Sequence, residues 1–153
     1  MKRWDLKCGR ATQEVCYYSS CRNFRQEEFA GRLAELIEAE MARTGKRETV
    51  FLCIGTDRST GDSLGPLIGY KLKQMKLPGA AVFGTLDRPV HAMNLEETMW
   101  HLKRYYPEHL IIAVDASVGM TSHVGCITLG RGALKPGLGV SKAQGSAICF
   151  KSR

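Results

Sequence analysis

The chain has 153 residues, 44% of them hydrophobic and 24% charged, which is the size and balance of one domain with a real core and no low-complexity tract or internal repeat. The longest apolar runs, VFLCI and LIIAV, are five residues each, too short to cross a bilayer, and the basic start MKRWDLKCGR lacks the apolar core of a secretory signal. The net charge of +7 is spread out: residues 1–49 carry ten basic and eight acidic side chains, residues 50–140 nine and seven. A solvated surface is therefore expected rather than a nucleic-acid or membrane footprint, in a cytoplasmic or at least non-secreted protein.

Residues 1–23 show no clear periodicity and are set apart as an N-terminal segment. They hold Cys8, Cys16 and Cys21; with Cys53, Cys126 and Cys149 these make six cysteines, none in the C-x2-C spacing of a zinc site. Cys53 and Cys126 fall in apolar runs and read as small core residues, the others as structural or incidental.

A single α/β domain is expected over residues 24–140. From Gln26 to Arg43 the residues Phe29, Leu33, Leu36, Ile37 and Met41 recur at helical spacing, with Glu27, Glu28, Glu35 and Glu38 on the wet side and Gly45 as the stop. Thr49–Ile54 is a continuous apolar run, the pattern of a strand buried on both faces. A loop, GTDRSTGDSLGP, leads into a second helical pattern of Leu64, Leu67, Ile68, Leu72 and Met75, with Pro66 tolerated in its first turn. Ala80–Gly84 predicts a second strand. Asn94 and Glu97 have capping-box spacing at the start of a helix to about Tyr105. Leu110–Val114 predicts a third strand closing on Asp115, and Gly125–Leu129 a fourth.

Strands alternating with helices predict right-handed crossovers and a mainly parallel sheet with helices on both faces. Sites in such sheets form beyond the carboxyl ends of the strands. Asp62 lies in the loop after the first strand and Asp115 at the end of the third. A 2-1-3 strand order brings both to one crevice.

The glycine-rich loop has the setting of a phosphate cradle, but Asp62 stands where a Walker loop has lysine, and it would repel a phosphate. A carboxylate in a partly dry cleft suits metal coordination, proton holding or water activation. Asp62 alone reads better as a helix cap, and Asp115 reads also as an Asx-turn former. Two acids at one sheet edge shift the balance toward a site. His91 reads as a surface hydrogen-bonder; His101, His109 and His123 are not singled out. Arg58 and Arg88 either bind an acidic substrate or pair with Asp57 and Asp87.

The blocks FLCIGTDRSTGDSLGPLIGYKL, GTLDRPVHAMNL and IIAVDASVG, within residues 48–140, resemble the YyaC-type sporulation proteins of endospore-forming bacteria. That type is similar in turn to the germination protease, which degrades small acid-soluble spore proteins, and distantly to hydrogenase maturation endopeptidases. The resemblance implies a three-layer, phosphorylase/hydrolase-like sheet. It also implies a protease-like hydrolase that cuts spore proteins through Asp62 and Asp115 without a cofactor, in the mother cell or forespore. Asp57, Arg58, Ser59, Thr60, Arg88 and His91 would line the substrate crevice. Non-catalytic binding of a spore protein or peptide is the alternative, and a divalent metal held by Asp62 and Asp115, as in the hydrogenase proteases, is another. From about Val140 the family pattern stops, so residues 141–153 are expected to form an atypical tail to a shortened fold. An oligomer is compatible with the sequence.

Overall fold

The computed structural model describes residues 15–19, 24–116, 125–131 and 147–152. The elements in chain order are β1 (Val15–Ser19), α1 (Gln26–Thr44), β2 (Glu48–Ile54), α2 (Leu64–Met75), β3 (Ala80–Phe83), α3 (Leu95–Tyr105), β4 (His109–Ala116), β5 (Cys126–Arg131) and β6 (Ala147–Ser152). A single 3-10 turn, Thr60–Asp62, sits between β2 and α2. The sheet has six strands in the order β1-β5-β6-β4-β2-β3. Strands β3, β2 and β4 pair in parallel, so the 2-1-3 order expected of the first three predicted strands is the one observed. β6 joins parallel to β4, while β5 runs antiparallel to β6 and β1 antiparallel to β5.

The centre of the sheet is apolar on both sides because β2 and β4 are apolar at successive positions. Side chains alternate across a strand, and the core divides accordingly. Val50, Leu52 and Ile54 of β2 join Ala113 of β4 in a cluster with Leu95 and Leu102 of α3. Leu110 and Ile112 of β4 cluster instead with Leu129 of β5 and Leu36 of α1, with Phe29, Leu33, Ile37 and Met41 packed around them. Each fully buried aliphatic side chain here contributes roughly 1.5–3 kcal/mol.

α1 stops where the sequence predicts: Gly45 adopts φ 74°, and its N–H donates to the Met41 carbonyl at 2.8 Å. Its Glu40 departs from the amphipathic pattern. It is fully buried, with its carboxylate bound by Arg43 at 2.7 Å and by Arg131 of β5 at 2.6 Å. The two guanidinium groups hold its carboxyl below the ordinary value of 4.5, the Arg43 hydrogen bonds most of all, against the opposing effect of burial.

Two strands lie where no local pattern marks them. β1 falls in the segment set apart as 1–23, and β6 falls in the stretch 141–153 expected to be a tail. β1 is a short edge strand with exposed ends, so no buried periodicity marks it. The capping box is not formed either. No side-chain cap bond is made at the start of α3; Asn94 turns back instead, its Oδ1 accepting the His91 N–H at 2.8 Å and its Nδ2 donating to the Pro89 carbonyl at 3.0 Å. Among the described residues no helix is long and apolar enough to cross a membrane.

Candidate functional site

The parallel strands β3, β2 and β4 end at one edge, and the loop after β2 folds back over it. Gly55 is the pivot. Its φ is 146°, a region L side chains rarely adopt, and a Cβ there would fall on the Asp62 carbonyl oxygen. Glycine thus lets the backbone of residue 62 close onto the end of β2, where the Thr56 N–H donates to the Asp62 carbonyl at 3.0 Å. The Asp62 N–H donates in turn to the Ser59 carbonyl at 3.0 Å, closing the 3-10 turn. Gly65 serves the same closure from the other end of the loop, since a Cβ on it would strike the Ile54 carbonyl. Pro66 sits buried in the first turn of α2, as expected.

These contacts hold the Thr60–Asp62 turn against β4, with Cα atoms within 8 Å of that strand. Asp115 lies inside β4, one residue before its end, rather than just beyond it. In register it is opposite Ile54, the residue before Gly55, and on its other side opposite Lys151 of β6. Both acids are half-buried. The fold therefore brings the two predicted carboxylate positions to the same end of neighbouring strands.

The helix-cap role for Asp62 is not the one observed. α2 begins at Leu64 behind Ser63, with no side-chain cap bond, and the Ser63 hydroxyl donates to the Thr60 carbonyl at 3.0 Å. Among the described residues Asp62 is tied to its neighbours only through its backbone.

The connection from β3 to α3 is stitched to the same place. The Gly55 N–H donates to the Val90 carbonyl at 2.8 Å, and Val90 bridges Ile54 in parallel fashion. This sets half-buried His91 beside the loop, with its backbone carbonyl accepting the Asn94 and Leu95 N–H groups. Arg88 sits exposed on a tight turn in which the Thr85 N–H donates to the Arg88 carbonyl at 3.1 Å. Asp57, Arg58, Ser59 and Thr60 are all exposed on the loop. Neither Arg58 nor Arg88 is ion-paired with Asp57 or Asp87 among the described residues.

Thr85 went unmarked in the sequence. It is 3% exposed, and among the described residues its hydroxyl finds no partner. A lone threonine after a four-residue strand carries no distinctive spacing. Cys53 is core, as expected, and burial pushes its thiol up to about 12. Cys126 is half-buried, while Cys8, Cys21 and the Cys149 side chain lie outside what is described. Among the described residues no three His, Cys, Asp or Glu side chains gather as a metal centre would need. Asp62 and Asp115 would supply only two ligands, short of a closed site.

An α/β domain with two acids at adjoining strand ends is the class that fold and site define. Residues 21–146 match the family described as "Protein of unknown function (DUF1256)", and the chain belongs to that family. It is 44% identical over 113 residues to "Uncharacterized protein YyaC" of Bacillus subtilis (strain 168). The aligned part covers 74% of this chain and 55% of that protein, so the chain spans about half the length of the curated relative it matches. No solved structure matches it.

Proposed function

We propose that this protein is a sporulation-associated hydrolase that cuts peptide bonds of spore proteins with the Asp62–Asp115 pair, on a three-layer frame of the phosphorylase/hydrolase kind. The observation that carries the proposal is the closure at Gly55, which places the Asp62 turn against the strand that carries Asp115. The likeness of the loop and of the later strand end to those of the germination protease supports it further. Two carboxyl groups sharing a partly dry site split their titration, so one is ionised while the other keeps its proton. The ionised group takes a proton from water as that water adds to the carbonyl carbon. The protonated group donates a hydrogen bond to the carbonyl oxygen, and a proton then passes to the departing amine. No cofactor enters this scheme. The rim residues Asp57, Arg58, Ser59, Thr60, Arg88 and His91 would hold the peptide, in the cytoplasm of the mother cell or forespore.

The test is incubation with small acid-soluble spore proteins beside Asp62→Asn and Asp115→Asn, with products read by mass spectrometry. Discrete cuts that both variants lose support the proposal. Cuts that survive in either variant would overturn the paired-acid mechanism. Saturable binding without cuts would instead favour peptide binding without turnover, the use to which Arg58 and Arg88, exposed and without ion pairs among the described residues, also lend themselves.

A further inference from the structure

We propose that the outward face of α3 is a self-association surface, on which two copies of this chain pack antiparallel across a two-fold axis at Trp100. The inward face of α3 is fully used: Leu95 and Leu102 are each 1% exposed, with Met99 and Tyr106 packed beside them. On the opposite face Trp100 is 64% exposed, and Met93, in the turn just before the helix, is 92% exposed. A tryptophan left in water at the centre of a helix face forgoes a large apolar burial, and such anchors are typical of interface centres.

The charges around Trp100 name the occupant. Glu96, Glu97, Lys103 and Arg104 are all exposed. They lie three and four residues to either side of Trp100 on the same face. At 100° per residue Glu96 and Lys103 flank it on one side, Glu97 and Arg104 on the other. A two-fold axis perpendicular to the helix reverses its direction while keeping each flank opposed to itself. Glu96 then faces Lys103 of a second copy, Glu97 faces Arg104, and the two Trp100 rings meet at the axis. None of the four charges is ion-paired among the described residues. A parallel pairing would set glutamate on glutamate.

Helix-dipole complementation explains acids in the first turn and bases in the last, but it gives no reason for an exposed Trp100 between them. The other apolar helix face, Leu67, Tyr70 and Met75 on α2, lacks this self-complementarity. Its exposed charges are Lys71, Lys73 and Lys76, and α2 has no acid to answer them. A contact built on one helix of 11 residues is smaller than a standard interface, so the association is weak and salt-sensitive.

Sedimentation velocity on the full chain, over a concentration series at low salt, tests the proposal. The wild type associates to a dimer. Trp100→Glu raises the dissociation constant roughly thirtyfold or more. Glu96→Lys/Glu97→Lys and Lys103→Glu/Arg104→Glu are each monomeric alone, and an equimolar mixture of the two dimerises again. Far-ultraviolet circular dichroism confirms that each variant is folded. A wild type that stays monomeric at every concentration overturns the proposal, as does a dimer that persists in the variants or a mixture that fails to restore it.

Discussion

Gly55→Ala is the most direct test of how the candidate site is held. The native φ of 146° is strained for alanine, costing roughly 1–3 kcal/mol. The new Cβ would also lie on the Asp62 carbonyl oxygen, 3.0 Å from Pro66 Cδ and 3.3 Å from the Asp62 carbonyl carbon. Backbone cannot rotate away as a side chain can, so the turn must back off. That movement breaks the 3.0 Å bond from the Thr56 N–H to the Asp62 carbonyl, a further loss of about 1 kcal/mol. The total is about 2–4 kcal/mol, and for a chain of this length each kcal/mol lowers the melting temperature by about 2–4 °C, giving a drop of roughly 4–16 °C. Gly61→Ala is the control, because a Cβ there meets nothing within 4 Å and no positive φ is involved. Calorimetry on the two variants decides the matter. If they melt together, Gly55 is not what holds Asp62 at the end of β2.

Two further outcomes are expected. Glu40 has a lowered folded-state pKa, so its stabilising contribution is complete above the ordinary value of 4.5 and is lost as pH falls through the folded value. Urea midpoints should therefore fall on acidification in the wild type and fall less in Glu40→Gln, which at pH 7 costs about 1–3 kcal/mol after allowance for two half-exposed arginines that can rehydrate; identical acid profiles would refute this. The Cys53 thiol, buried and pushed up to about 12, should be alkylated at neutral pH only through unfolding, so its labelling rate by mass spectrometry should rise with denaturant. Native-state labelling at the rate of a free thiol would contradict its placement.

The parts of the fold legible in the sequence are those whose burial is written locally. β2 and β4 are apolar at successive positions because both of their faces are covered, and α1 carries its stripe from Phe29 to Met41 because one face packs on Leu110 and Ile112. Once those strands were placed, parallel order alone sent Asp62 and Asp115 to one edge. What escaped depends on distant partners. β1 is specified by pairing with β5, across registers such as Tyr17 with Thr128, rather than by its own pattern. Glu40 is buried because Arg131, 91 positions later, comes to meet it, and no window around residue 40 holds that information. Asn94 had the right spacing for a cap, yet its amide serves the Pro89–His91 turn, since a side chain with both a donor and an acceptor can tie two backbone groups at once.

The placement of the polar bonds bears on how such a site can work. Near the amino ends of the central strands the side chains are tied: His109 Nε2 meets Glu48 at 2.9 Å across the β2–β4 pair, Lys46 donates to the His109 carbonyl at 2.8 Å, and Arg131 reaches Glu40. At the carboxyl ends the order is reversed. There the backbone is fixed by Gly55, Val90 and Gly65, while Asp57, Arg58, Asp87 and Arg88 remain exposed and without ion pairs among the described residues. Salt bridges at that rim would compete with an incoming polar chain for the same donors and acceptors. In the proposed site, holding the main chain and leaving the charged side chains to solvent would fix the backbone that carries the acids and keep the rim available. The glycine loop accomplishes this where a lysine-bearing phosphate loop could not, because its close contacts are spent on placing the backbone of Asp62 rather than on surrounding an anion.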